Sequence, residues 1–205
     1  GACRARMEAM MHLFVVRHAP AQVSGLCYGQ LDVPVAPAAE EAARVAIASI
    51  DVLGPASSQA LPFASIVTSP SARTRTLAEA MARALGLPAP RIDARLRELD
   101  FGRWEGRTWE ELERDDGPAF SEWMTSWQHA RAPGGEGVGD LMLRIQGLLD
   151  ETRTPCLLVT HAGPIRVLRA LIQKRTLGDV WSEDVPHLSV EPLTGECHRP
   201  RKAAL

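Results

Sequence analysis

Two histidines in this 205-residue chain stand at equivalent places in its pattern. His18 comes two residues after the apolar run Leu13-Phe14-Val15-Val16, and His161 directly follows Cys156-Leu157-Leu158-Val159-Thr160. Short continuous apolar runs with β-branched residues suit strands covered on both faces, so each imidazole marks the carboxyl end of a strand. If the two strands are neighbours, both rings project into one crevice. Arg17 precedes the first histidine, and Pro164 follows the second at an expected helix N-terminus. Two imidazoles with a guanidinium form a setting for an anion. Taken singly, each histidine reads as ordinary hydrogen-bonded structure, and a metal site competes. The pair supplies only two ligands, no HxxxH or HxH spacing adds more, and cationic Arg17 opposes a metal.

Arg73 falls in the first turns of a helix expected after a second strand, in Ser69-Pro70-Ser71-Ala72-Arg73-Thr74-Arg75-Thr76. From there it can point back over the strand ends and fork two phosphate oxygens. Arg75 reads instead as a solvated helix-face residue. The stretch Arg95-Leu96-Arg97-Glu98-Leu99-Asp100-Phe101-Gly102-Arg103 mixes carboxylates with arginines, and alone it reads as a surface salt-bridge lattice.

The elements that must position these residues follow from periodicity and punctuation. Strands are expected over 13–16, 63–68 and 156–160, with a last one within 187–193. Helices are expected over 38–53 and from Ser69-Pro70 to Leu85, where Gly86 is the stop. Residues 19–37 and 89–107 read as irregular. Thr108 and Glu111 have capping-box spacing before a short helix. Gly117-Pro118 breaks that helix, and another carries Trp123 and Trp127. Leu141, Ile145, Leu148 and Leu149 mark an amphipathic helix ended by Pro155, and Ile165, Leu168, Leu171 and Ile172 mark one more. This alternation argues for an α/β three-layer sandwich with a mainly parallel central sheet and helices on both faces. Ligands of such sheets bind beyond the carboxyl ends of the strands, often at a helix N-terminus.

Composition narrows the partners. With 23 Lys+Arg against 25 Asp+Glu the net charge is −2, so no global field recruits nucleic acid or a membrane. No apolar run approaches the roughly 20 residues of a membrane span. Cys3, Cys27, Cys156 and Cys197 form no CxxC pair, so a disulfide framework and a zinc site are not expected, and a reducing, cytoplasmic setting fits. Residues 1–10 read as a disordered leader or appended remnant, 11–195 as one domain with a helical insertion at about 104–132, and 196–205 as a loose tail.

The motifs together resemble the histidine phosphatase superfamily, the phosphoglycerate-mutase-like fold, from about Leu13 to about Leu193. In order they are Val15-Val16-Arg17-His18, Gly29-Gln30-Leu31-Asp32-Val33-Pro34, and Thr68-Ser69-Pro70 with Arg73 and Ala78-Glu79-Ala80. Then come Arg97-Glu98-Leu99-Asp100-Phe101-Gly102-Arg103-Trp104-Glu105-Gly106, Pro133-Gly134-Gly135-Glu136 and Val159-Thr160-His161-Ala162-Gly163. The resemblance implies a phosphohistidine formed on His18, a phosphoryl pocket of Arg17, Arg73 and His161, and Glu98 as the acid that protonates the departing alkoxide. It implies no cofactor and no metal, a small phosphorylated metabolite as substrate, and it admits a homodimer.

The chain departs from the family pattern at several points. Ala19-Pro20 stands for the usual Gly and Glu, and Thr74 and Thr76 for Ala and Gln after Arg73. Ser24 takes the place of a common Asn, and Ala162 that of a glycine; both join the expected phosphate-binding set. The Phe101–Gly106 stretch looks more like the phosphatase branches, α-ribazole-phosphate phosphatases among them, than like mutases, which carry extra segments over the site. Phosphoglycerate-mutase-type transfer and a phosphate-binding module without turnover are the alternatives. Trp104, Trp109, Trp123 and Trp127 read as a small satellite core, or as a lid over a substrate with a flat part.

Overall fold

The computed structural model describes residues 10–50 and 61–196. The leader before residue 10, the expected helix end at 51–53, the tail beyond 196, and with them Cys3 and Cys197, lie outside the described residues.

Five strands, β1 (Met10–Arg17), β2 (Ile66–Thr68), β3 (Arg91–Ile92), β4 (Cys156–Thr160) and β5 (Val190–Glu196), form one sheet in the order β3-β2-β4-β1-β5. β1, β2, β3 and β4 run parallel, and β5 closes the edge antiparallel to β1. Side chains alternate across the sheet with period two. Phe14, Val16, Leu157 and Val159 face one layer, packed on α1 (Ala39–Ile50) and α2 (Ala72–Leu85) through Ala42, Ala46, Leu77 and Met81. Leu13, Val15 and Leu158 face the other, packed on α5 (Val138–Glu151) and α6 (Ala162–Gln173) through Leu141, Ile145, Leu148, Ile165 and Leu168. This is the expected three-layer α/β sandwich. Its central strands carry continuous apolar runs, Leu13–Val16, Ile66–Val67 and Cys156–Val159, because helices cover both faces.

Between β3 and β4 lie α3 (Trp109–Asp115) and α4 (Gly117–Ser126). The Thr108 hydroxyl accepts from Glu111 N at 3.2 Å and the Glu111 carboxylate accepts from Thr108 N at 2.8 Å, closing the capping box. Gly117 and Pro118 end one helix by starting the next. Buried Trp104, Cys27, Leu112 and Ala132 make a satellite core, with Trp123 and Phe120 edge-to-face on Trp104.

Several boundaries differ from the expected ones. β2 is confined to Ile66–Thr68, while Phe63 leaves the ladder and packs its ring 5.4 Å from Phe14. The second helix starts at Ala72, after Ser71, rather than at Ser69-Pro70. β3 and a five-residue helix α7 (Leu177–Trp181) appear in segments that carry no apolar period. β5 starts at Val190, inside the expected 187–193 segment, where Leu188 with a left-handed φ of 57° turns the chain into the strand, and it runs on to Glu196.

Candidate active site

The sheet register brings the two histidines together. Arg17 of β1 pairs with Thr160 of β4, so the next residues, His18 and His161, leave the sheet side by side. His18 N donates to Thr160 O at 3.2 Å, and the two rings meet edge-on with centroids 5.2 Å apart. Both are buried, at 2% and 0% exposure.

The tautomer of His18 is set by its neighbour. Nδ1 lies 2.7 Å from Ala19 O. A carbonyl only accepts, so Nδ1 carries the proton and Nε2 keeps its lone pair. Burial, reinforced by the charges of Arg73 and Arg17, pushes the His18 pKa down to about 3, against the hydrogen bond to Ala19, so the ring is neutral in the physiological range. Burial likewise drives His161 well below the usual histidine range, with His18, Arg73, Arg144 and Arg17 adding to it. His161 Nε2 meets Ser69 Oγ at 3.0 Å. When Ser69 donates there, His161 Nδ1 is the donor left over.

Among the described residues, four buried side-chain nitrogens lack a hydrogen-bond partner: Arg17 Nε, Arg73 Nε, His161 Nδ1 and Arg166 Nε. Three of them belong to the residues expected to hold a phosphoryl group. An unmatched buried donor costs about 1–3 kcal/mol, so a cluster of them fits a site built for an anion.

Arg73 is 2% exposed, and it is more committed than a free fork. Nη1 donates to Leu31 O at 2.8 Å and to Asp32 Oδ1 at 3.2 Å, and Nη2 donates to Gly29 O at 2.5 Å. Three of the five N–H groups of a guanidinium are thus spent, and Nε–H with one Nη2–H remains for a ligand. Loop 29–31 is itself held by Glu105, whose carboxylate accepts from Gly29 N, Gln30 N, Leu31 N and Phe101 N at 2.9, 2.9, 3.0 and 3.0 Å. Gly29 is obligatory here, because a Cβ on it would stand 1.9 Å from Leu99 O.

Glu98 sits at the N-terminus of α6. Gly163 N donates to its Oε1 and Oε2 at 3.1 and 3.2 Å, and its charge is felt by both Arg73 and Arg166. Arg144 of α5 fixes the segment below it, donating to the carbonyls of Arg95, Arg97 and Glu98 and pairing with Glu136 at 3.0 Å. Ala162 is the first residue of α6, where backbone N–H groups have no intrahelical acceptor. Ser24 is exposed on the loop after His18. Arg75 is exposed and lies 3.7 Å from Glu79 on its own helix, and Arg95 joins Asp93 and Glu151 in a surface lattice.

Three participants were not singled out by sequence: Arg144, Arg166 and His187. Arg166 offered a signal, since α6 is buried nearly all round and an arginine in such a helix must have partners. It donates to Glu183 O and lies over the Trp181 ring at 5.5 Å. Trp181 in turn stacks on Trp127, centroids 4.4 Å apart, so Trp127 parts company with Trp123 instead of sharing its core. Among the described residues no group of three or more His, Cys, Asp and Glu side chains is arranged to hold a metal, and no helix is long and apolar enough to cross a membrane.

A phosphoserine phosphatase of Hydrogenobacter thermophilus is 29% identical over 122 residues, 57% of either chain. A probable phosphoglycerate mutase of Salmonella paratyphi B is 30% identical over 142 residues, 68% of this chain and 62% of that protein. The chain spans only 31% of a bifunctional protein of Mycobacterium tuberculosis to which it is 34% identical over 114 residues. Among solved structures, the α-ribazole phosphatase of Shigella flexneri superposes with a TM-score of 0.75 at 25% identity, covering 89% of both chains. The model of the histidine phosphatase superfamily (branch 1) matches residues 13–204, and the chain belongs to that family.

Proposed function

We propose that this chain hydrolyses phosphomonoesters of small metabolites through a phosphohistidine on His18. The observation that carries the reading is the His18 tautomer, with Nδ1–H tied to Ala19 O and Nε2 unprotonated beside the unmatched donors of Arg17, Arg73 and His161. The Nε2 lone pair attacks phosphorus as the P–O bond to the leaving group breaks. Glu98, protonated at that moment, gives its proton to the departing oxygen. Arg17, Arg73 and His161 offset charge on the equatorial oxygens, as fixed donors do without reorganisation. Water then attacks the phosphohistidine while Glu98 takes its proton, which releases phosphate and restores neutral His18.

For the leaving group we favour one with a flat ring, such as the α-ribazole released from α-ribazole 5'-phosphate. The stacked Trp127–Trp181 pair beside Arg166, and the likeness to the Shigella enzyme, support it. The Salmonella relative named a mutase keeps phosphoryl transfer between phosphoglycerates as the second reading. Hydrolysis of an aryl phosphate, lost by about 10⁴-fold or more in His18→Ala, checks the nucleophile. Phosphate binding without hydrolysis in the wild type contradicts the whole reading and favours a binding module. A panel of phosphomonoesters ranked by kcat/KM decides the substrate, and equal turnover of ring-bearing and bare sugar phosphates removes the α-ribazole assignment.

A further inference from the structure

A third imidazole stands against the nucleophile. His187 lies in the segment that precedes β5, half-buried, with its ring centroid 5.4 Å from that of His18, and it forms an isolated parallel bridge with Arg17. Its Nδ1 is 2.5 Å from His18 O. The acceptor is again a carbonyl, so Nδ1–H is the donor. Two successive carbonyls at the nucleophile are therefore each held by an imidazole: His18 O by His187, and Ala19 O by His18 itself.

The rest of the segment is stitched to the residue before His18. Leu188 N donates to Arg17 O at 3.0 Å, and Arg17 Nη1 donates to Val185 O at 2.9 Å. Leu188 keeps its left-handed backbone (φ 57°), a conformation that costs a leucine about 1–3 kcal/mol and persists only where the surroundings over-determine it. The loop on the other side of His18 begins Ala19-Pro20, and proline has no N–H with which to be tied. The 19–20 peptide therefore has only its carbonyl, Ala19 O, to be anchored by, and His18 Nδ1 takes it.

We propose that His187 is a positioning residue for the nucleophile: its Nδ1–H fixes the peptide between His18 and Ala19, and with it the carbonyl that locks the His18 ring with Nε2 toward phosphorus. This rests on the phosphohistidine reading above. Burial, the larger cause, with Arg17 adding, lowers the His187 pKa, which keeps the ring neutral and Nδ1–H the tautomer that meets the carbonyl.

Three variants test it. His187→Ala and His187→Phe, the second keeping a ring without a donor, should each lower kcat by about 10–10²-fold, the cost of misplacing a reacting group. Inhibition by inorganic phosphate should stay near wild type, because the oxygen-binding donors are untouched. His187→Asn should recover most of the rate, since its amide N–H₂ stands where Nδ1–H does. In ¹⁵N-histidine NMR spectra the His18 ring should be a single Nδ1–H tautomer in the wild type and in His187→Asn, and should gain the Nε2–H form in His187→Phe. Wild-type rate in His187→Phe, or no recovery in His187→Asn, overturns the proposal. Should the wild type hydrolyse nothing, the proposed function falls, and the His18 tautomer still decides this inference.

Discussion

The proposed phosphoryl pocket and the satellite core around Trp104 are both buried, and they treat their polar groups in opposite ways. In the insertion the polar groups named here have partners. Trp104 Nε1 donates to Asp116 at 3.1 Å, the Thr108–Glu111 capping box is closed, and Arg107 reaches Asp115, Asp116 and the Glu111 carbonyl. At the strand ends, Arg17, Arg73 and His161 each keep a buried nitrogen unmatched. One region closes its hydrogen bonds and its aromatic contacts for stability. The other leaves donors unmatched at a cost to the fold, which the proposed function explains as a reserve for an anion. Burial by itself therefore does not separate core from site here; the state of the buried polar atoms does.

Breaking the pocket should cost rate and leave the fold standing. Glu98→Gln should slow hydrolysis of alkyl phosphates by about 10²–10⁴-fold, the span of general acid catalysis. Aryl phosphates, whose leaving groups need no proton, should lose far less, and equal losses in a paired assay would mean Glu98 is not the donor. Gly163→Ala comes next. A Cβ there would stand 2.2 Å from Glu98 Oε1, so the carboxylate must shift. A displacement of that order costs about 10²-fold in rate, and the melting temperature should move little because only the side-chain ends of Glu98 and, by a few tenths of an ångström, Leu141 have to yield.

Breaking the insertion should do the reverse. Trp104, fully buried, leaves a large void on Trp104→Ala, worth about 3–5 kcal/mol in urea unfolding. KM for any phosphomonoester should be unchanged in the folded fraction, and a KM that rises would make the Trp104 core part of the site. The smallest effect, taken per unit of pH, is the pH dependence of stability. Unfolded, His18 takes up a proton below about 6.5, whereas folded it resists down to about 3. Stability is present in full above pH 6.5 and is lost as the pH falls between those values, by at most about 1.4 kcal/mol per pH unit for each such ring. The slope of unfolding free energy against pH should be shallower by one proton in His18→Asn.

Much of this was legible before any coordinates. The apolar runs at 13–16 and 156–160 announce buried parallel strands, and the histidines that follow inherit their common address from that. Gly86 ends its helix in the left-handed conformation as its position implies, and Thr108 with Glu111 caps the next one. What was not legible depends on pairing at a distance. β3 is two exposed residues made a strand by the backbone of β2 alone. His187 reads as one polar residue before an edge strand, and nothing local reveals the bridge to Arg17. The remaining N–H groups of Arg73 could not be counted from sequence, because the carbonyls that take up the others sit more than forty residues away.

The loop between Glu105 and Arg73 has a consequence of its own. Its amides face the carboxylate with their hydrogens, and the carbonyls of Gly29 and Leu31 face the guanidinium with their oxygens. A layer of aligned peptide dipoles thus separates an anion from a cation that would otherwise neutralise each other. Apart from half-exposed Asp32, the arginine is moored by neutral groups, and its positive charge stays available to whatever arrives from solvent.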